Sequence, residues 1–550
     1  MAGAQDDRAR EALEIAGRKL RRGEISRRDF ARLTSMLGIV AVAPTALVAC
    51  GSKATTGSGG TTASAGGGGG GKDSLRFLVG ESFWANWHPY NHTAQIGFKI
   101  QRNLFDRLVE VQPDMSLKPG LAESWRQVDA RTWEFKLREG VTFHEGQELT
   151  AEDVKASVQL ASGFDGDKKQ PLAMAATWGV PHKGEVVDRL TVRLIGEKPF
   201  GPLLNTLAIT DILSAADIAR GRTTLERRPN GTGAFKLVED KPNAKTMERF
   251  DDYYRGPAKL RTMTWEFTQD SQTPLNALLA GQADVIDRVE PDQLALIEKS
   301  DGARAISVTA PEIQSMWFRM DKDPFGSNAG LRRAFAWSLD RESMAGLVGG
   351  KSTVGDSHLA SGIEFRSAQQ PMYAFDPERA RAELARAGGP VSFELGSSTG
   401  FYPKSKEICE LAQQNLEEVG FDVKLTLLEL AAWIDMLFGK GRPGEVFYGG
   451  WGNLTKDPDF ALATLLHSPG AWTGAHDRRA DALIDAGKTA TKPDRREQVY
   501  GELQTYLWDE YVPSVPILYS DLSNGLRENV QGYEVYPTFV QEFWPVEIGG

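Results

Sequence analysis

From Leu75 onward the chain is written in short apolar runs separated by turns, and none approaches the ~20 apolar residues that a membrane-spanning helix needs. Residues 75–80 (LRFLVG) predict a first strand. Residues 133–138 (WEFKLR) alternate with period two, Gly140 turns the chain, and residues 141–144 predict a second strand ending in a tight turn at Glu145-Gly146. Thr150 then offers an N-cap to a helix opening at Ala151, with Glu152 and Asp153 in the first turn, where the helix dipole favours acids. Farther along, Asp376-Pro377 is a cap followed by proline at the first helical position, and Gly388-Gly389 closes that helix. A strand at 391–395, an amphipathic helix at 404–419 and a strand at 423–429 follow. Strand and helix in alternation predict an α/β chain with a mostly parallel sheet in this part.

The first 49 residues break the pattern, carrying nine Lys/Arg against six Asp/Glu. Within them Ser26-Arg27-Arg28-Asp29-Phe30 resembles the twin-arginine export signal. The run 36–49 behind it has 14 residues and is interrupted by Pro44, too short to span a bilayer, and reads as a cleavable hydrophobic region. It ends in Leu47-Val48-Ala49-Cys50, which resembles the bacterial lipobox and makes Cys50 the expected site of lipidation. Two or more acyl chains on one residue give a stable anchor, whereas one holds only marginally. Residues 51–71 contain only Gly, Ser, Thr, Ala and one Lys, ten of them Gly. Such a tract is a flexible tether with a reach of about 25 Å.

Dividing the chain there also sharpens the charge. The 550 residues carry a net charge of −10, and removing the basic leader leaves 55 bases against 68 acids. An acidic body argues against a nucleic-acid partner, since phosphate backbones are bound by concentrated Lys and Arg. The 2 cysteines, Cys50 and Cys409, cannot build a disulfide framework or a cysteine zinc cage. Cys409, beside Ile408 and Leu411 on the amphipathic helix, reads as core.

Several blocks carry a family resemblance. They are Leu117-Lys118-Pro119-Gly120-Leu121-Ala122-Glu123-Ser124-Trp125, then Phe135-Lys136-Leu137-Arg138-Glu139-Gly140-Val141-Thr142-Phe143-His144-Glu145-Gly146, and Leu149-Thr150-Ala151-Glu152-Asp153-Val154. Asn230-Gly231-Thr232-Gly233, Asp252-Tyr253-Tyr254-Arg255-Gly256, Gly281-Gln282-Ala283-Asp284-Val285, Leu331-Arg332-Arg333-Ala334 and Gly450-Trp451 ahead of Asp457-Pro458 extend it. Together they resemble the extracytoplasmic solute-binding proteins of ABC importers, in the family (family 5) with peptide- and nickel-binding members. The resemblance implies a two-lobed, periplasmic-binding-protein-like fold (type II, cluster C) closing around a ligand, with an extra subdomain inserted in the first lobe. Mapped on this chain, the first lobe is 73–110, 229–313 and 524–550, the inserted subdomain 111–228, and the second lobe 314–523. It further implies a monomer on the outer face of the bacterial cytoplasmic membrane, serving a permease and its ATPase subunits, without cofactor and without enzymatic activity.

The ligand residues that the resemblance implies are Trp84, Trp87, Tyr90 and Thr93 after the first strand, Trp317, Ser398 and Trp433, the segment Trp451, Asn453, Leu454, and Tyr519 where the chain recrosses the hinge. Peptide binders of this family place an aspartate three residues after the tryptophan, where it pairs with the α-ammonium; here that position is Leu454. A buried ammonium without a partner costs several kcal/mol. Either another acid, such as Asp457 or Asp459, takes the role, or the ligand has no free α-amine. A peptide-class solute is the first expectation, and an oligosaccharide, an opine-like solute or a metal chelate the alternative.

Three other motifs imitate chemistry. Gly396-Ser397-Ser398-Thr399-Gly400 fits the G-x-S-x-G pattern of serine hydrolases, with Asp459 and His467 or His476 downstream in the required order. Residues 345–352 nearly spell a phosphate loop, but Ala345 replaces its first glycine and a helix precedes it where a strand is required. His88 and His92 are four apart, yet Pro89 spoils a shared helical face, so no metal is assigned.

Overall fold

The computed structural model describes residues 73–549 except 82–85, 92–94, 166–171, 269–271, 350–351, 368–372, 400–401, 430–431, 434–443 and 469–472. Arg27, Arg28, Cys50, the tether, Trp84 and Thr93 therefore lie outside the described residues.

Where capping chemistry is strong, the elements form as the local sequence dictates. Thr150 and Asp153 make a reciprocal capping box at the start of the helix Ala151–Ala161. Asp376 accepts the Arg379 amide ahead of Pro377–Arg386, and Gly388 and Gly389 take positive φ where that helix ends. The strand Ser392–Ser398 pairs parallel with Asp422–Leu428 across the helix Ser405–Val419, and parallel again with Val446–Gly452. Residues 141–144 do not form the expected strand. Their backbone groups bond within the loop (Phe143 N to Gln147 O, 2.8 Å) and to Gly231 (His144 N to Gly231 O, 2.8 Å), leaving only one isolated bridge, Thr142 with Glu148. Alternation supplied the apolar spacing, but no neighbouring strand is there to complete a ladder.

Ten strands join in one continuous order, with a short eleventh, Thr353–Val354, paired to its side. From one edge they run Asp422–Leu428, Ser392–Ser398, Val446–Gly452, Ala303–Phe318, Ser514–Arg527, Val285–Ile286, Ser74–Val79, Thr262–Phe267, Ala244–Arg249 and Phe235–Lys241. A separate four-stranded antiparallel sheet lies within residues 122–196. The two long central strands are antiparallel partners whose register shifts twice, between Thr309 and Ile313 and again between Gln314 and Ser315, and the first shift is the wider break. Thr309 faces Asp521 and Ile313 faces Tyr519, so residues 310–312 stand opposite the single residue 520. Pro311, which has no amide hydrogen to give to a ladder, sits in that break.

Buried side chains fall into two large groups on either side of the break. One holds Phe77, Trp265 and Phe543, with ring centroids 4.4 Å (Phe77 to Trp265) and 5.7 Å (Trp265 to Phe543) apart. The other holds Phe318, Phe325, Phe335, Phe393 and Phe421, packed edge to face or stacked at 5.0–6.3 Å. Burying each such ring contributes about 1.5–3 kcal/mol. These two bodies are the lobes, and among the described residues the two central strands carry one sheet through both.

The first lobe also buries a charge network. Arg102 contacts Asp106 (3.3 Å), Glu110 (3.0 Å) and Glu542 (2.8 Å), and Arg255 meets Glu110 at 2.6 Å. Burial pushes the Asp106 carboxyl up to about 7, against the pull of Arg102 and with the help of Glu110. The folded state therefore holds a proton on Asp106 that the unfolded chain releases near pH 4, and this group's contribution to stability falls as pH rises from about 4 to about 7. Asp106→Asn removes that titration. The wild-type excess in urea midpoint over the variant is expected to shrink between pH 4.5 and 7.5; an excess that grows with pH contradicts the assignment.

Candidate functional site

The strand Val446–Gly452 runs antiparallel to the central strand, with Gly452 opposite Glu312, Trp451 opposite Ile313 and Gly450 opposite Gln314. Side chains alternate faces along a strand, so Glu312 and Gln314 share a face with positions 450 and 452, where there is no side chain. Glycine inside a strand often marks a close approach, and here both mark one. A Cβ on Gly450 would lie 3.0 Å from the Tyr402 ring and 3.1 Å from the Glu312 carboxylate. One on Gly452 would lie 3.2 Å from the Phe539 ring, 3.4 Å from Gln95 and 3.4 Å from Glu312. Tyr402 packs against the second lobe, whereas Phe539 belongs to the first-lobe core and Gln95 opens the helix Gln95–Gln101. The bare floor at 450–452 is thus covered from both lobes, beside the break in the central strands.

Each wall is held in place. Lys99, one turn after Gln95, is buried and binds Glu81 at 2.8 Å and Asp287 at 2.7 Å; these carboxylates outweigh burial and hold its ammonium above the ordinary lysine range. Tyr448, on the floor strand, gives its hydroxyl hydrogen to Gln314 Oε1. The Asn453 amide bonds Pro311 O at 2.8 Å, tying the end of the floor to the break. Leu454, two residues past the end of the floor strand, is buried in the first-lobe core although that strand pairs within the second lobe.

The two acids named as substitutes at Leu454 are both committed elsewhere. Asp457 caps the helix Pro458–Leu466 and binds Arg496 through both oxygens, at 2.6 and 2.8 Å. Asp459 is buried 3.4 Å from Lys488, and burial pushes its carboxyl up to about 6. Glu312 is the carboxylate that stands over the floor, and sequence reasoning missed it, as it missed Tyr402, Gln314, Phe539 and Gln95. The signal within reach was the run Gly449-Gly450-Trp451-Gly452, three glycines inside a strand.

The other expected residues are distributed. Trp451 is half-buried against the second-lobe core, and Trp433 is buried with its ring beside Gly449. Trp317 is buried and donates Nε1–H to Gly449 O at 2.9 Å, bracing the floor from its other strand. Asn453 is buried, its side chain accepting from the Thr455 amide and donating to Asp457 O. Ser398 is fully buried, and its hydroxyl has no hydrogen-bond partner among the described residues. Trp87 is buried in the first lobe with Nε1–H on Asp240 at 2.7 Å, and Tyr90 gives its hydroxyl hydrogen to Asp211 O. Tyr519 is buried in the second-lobe core, its hydroxyl on Asp356 at 2.7 Å; burial and that carboxylate push its phenol up to about 12.

The hydrolase order is not assembled in space. Asp459 pairs with Lys488 and His467 lies 3.3 Å from Asp485, while no base touches Ser398 among the described residues. Cys409 is fully buried, and burial pushes its thiol up to about 12, far from a reactive thiolate. Among the described residues no group of three or more His, Cys, Asp or Glu is placed to hold a metal ion.

Comparison with known proteins gives the family and the fold. The family model for bacterial extracellular solute-binding proteins, family 5 (middle region), matches residues 116–473. A curated relative, the glutathione-binding protein GsiB of Salmonella typhimurium, is 26% identical over 478 residues, covering 84% of this chain and 91% of its own. The solved structure of the dipeptide-binding protein from Pseudoalteromonas sp. SM9913 in complex with Met-Leu superposes with a TM-score of 0.75 at 21% identity, covering 86% of this chain and all (100%) of that one. NikZ from Campylobacter jejuni in complex with Ni(L-His) gives 0.75 at 19% identity, covering 87% and 100%. The chain belongs to the bacterial extracellular solute-binding proteins of family 5, with their two-lobed fold.

Proposed function

We propose that this solute-binding protein is the lipid-tethered capture component of an ABC importer, taking a peptide-class solute between its lobes over Gly450 and Gly452 and presenting it to a permease. One observation carries the reading. A floor of two glycines lies beside the break in the two strands that, among the described residues, both lobes share, and is walled by Tyr402 on one side and Phe539 on the other. Hinged closure over such a floor buries a ligand on both faces. Relatives named for glutathione and dipeptide binding support the peptide class. Calorimetric titration against a mixed peptide pool and a glycan set tests it: tight glycan binding with no peptide response overturns the peptide class.

Within that reading Glu312 takes the α-ammonium that Leu454 cannot. A hydrogen bond to a charged group contributes about 1.5–3 kcal/mol, or roughly tenfold to a hundredfold in affinity. Glu312→Gln is expected to weaken free-amine peptides by about tenfold or more and their N-acetylated forms by less than about threefold. Equal losses for the two series contradict the role.

The lobe boundaries near 111, 228, 313 and 523 and the lipid at Cys50 belong to the same proposal. Cys50→Ser is expected to move the exported protein from the membrane fraction to the soluble fraction and to abolish labelling by a radioactive fatty acid. Retention of the label excludes Cys50 as the acceptor.

A further inference from the structure

A second concavity lies wholly in the second lobe. It is a half-open hollow of about 480 Å3 beside the helices Ala329–Ser338, Pro377–Arg386 and Pro493–Tyr506, and none of Glu312, Tyr402, Gly450 or Gly452 lines it. Its volume is within the range of small-molecule sites, ~300–1,000 Å3.

One wall is a belt of rings. Trp337 meets Tyr373 edge to face at 4.9 Å, Tyr373 lies 5.6 Å from Trp508, and Trp508 lies 5.2 Å from His358. The belt is fixed by backbone bonds: Tyr373 donates its hydroxyl to Trp508 O at 2.8 Å, and the buried His358 ring reaches Ser514 O at 3.3 Å. At one end stand two guanidinium groups. Arg379 stacks its Cζ 3.8 Å over the Trp337 ring, and neither Arg379 nor Arg333 has a carboxylate partner among the described residues.

Most acids of the same wall are occupied. Asp356 is bonded by Arg366 and by the Tyr519 hydroxyl and Glu383 binds Arg386 at 2.8 Å, while Asp509, exposed like Arg379, also lines the cavity. The charge left open toward the cavity is therefore two guanidinium groups against the one carboxylate of Asp509, next to aromatic faces. Flat rings stack on such a belt, and a planar guanidinium already resting on tryptophan is pre-set to bind an anionic oxygen pair without losing further rotamer freedom.

We propose that this cavity is a second ligand site, separate from the interlobe cleft, for a small molecule that combines an aromatic ring system with an anionic group. 8-Anilinonaphthalene-1-sulfonate is a probe of that class, and N-phenyl-1-naphthylamine has the same rings without the charge. The full chain carrying Cys50→Ser is titrated with each by fluorescence. The expected result is saturable one-to-one binding of the sulfonate, about tenfold tighter than the uncharged probe. The pair Arg333→Glu with Arg379→Glu is expected to weaken the sulfonate at least tenfold and the uncharged probe by less than threefold, with peptide titration of the cleft unchanged. Should charge reversal unfold the lobe, Arg333→Gln with Arg379→Gln supplies the same comparison. Sulfonate affinity that is unsaturable, or is unchanged in a folded arginine variant, or is displaced by a cleft peptide, overturns the proposal.

Discussion

Arg496→Ala is expected to cost about 3–5 kcal/mol of stability, because it leaves the Asp457 carboxylate buried without its cation. Arg496 and Asp457 side chains are 5% and 1% exposed, so solvent screens the pair little. The guanidinium does more than neutralise: it meets both carboxylate oxygens, gives Nε–H to Gly487 O at 3.0 Å and reaches the Tyr500 hydroxyl. Nearby carboxylates and these bonds outweigh burial in holding its proton. Asp457 in turn caps Pro458–Leu466, and its carbonyl accepts from Asn453, at the end of the glycine floor. The measurement is chemical denaturation of both variants with the double mutant. Arg496→Ala and Asp457→Ala are each expected to lose most of this stability, and the pair together far less than their sum. Additive losses contradict a coupled ion pair.

Gly452→Val is expected to weaken solute binding by one to two orders of magnitude while the chain stays folded. The added Cβ would meet Phe539 of one lobe at 3.2 Å while sitting on the floor strand paired to the other. Overpacking of this kind typically costs 1–3 kcal/mol, which is about fivefold to a hundred-and-fiftyfold in a binding constant. Here the strain falls on closure, since each lobe keeps its own core. Solute titration reads the affinity, and small-angle scattering with and without solute reads the closure. Gly346→Val, where a Cβ meets nothing within 4 Å, is the control expected to bind normally. Wild-type affinity in Gly452→Val removes the floor from the site.

Local chemistry made much of the fold legible. Thr150, Asp376 and Pro377 fix helix starts by satisfying or lacking amide hydrogens, and these interactions act within four residues of the chain. The parallel unit from Ser392 to Leu428 followed from strand and helix alternation, because a crossover must return the chain in the same direction. Alternation alone misled at 141–144, since a strand exists only when a partner accepts its bonds.

The site was less legible for the same reason in a stronger form. The run Gly449-Gly450-Trp451-Gly452 is visible in the sequence, but what makes it a floor is Glu312, Tyr402, Gln95 and Phe539, which come from four distant segments. Aromatic residues drew attention at Trp87, Tyr90 and Tyr519, yet each hydrogen-bonds a backbone carbonyl or an acid within its own lobe. Large rings are informative about burial and say little about which surface they bury against.

By itself the sequence determined an acidic body, the α/β class and the membership blocks, all of which depend on composition or on neighbours close in the chain. Only the tertiary structure decided that Asp457 and Asp459 are spent on Arg496 and Lys488, that Leu454 reaches into the opposite lobe, and that Glu312 stands over the glycines. Which charged groups a carboxylate meets is chosen by packing between segments far apart in sequence.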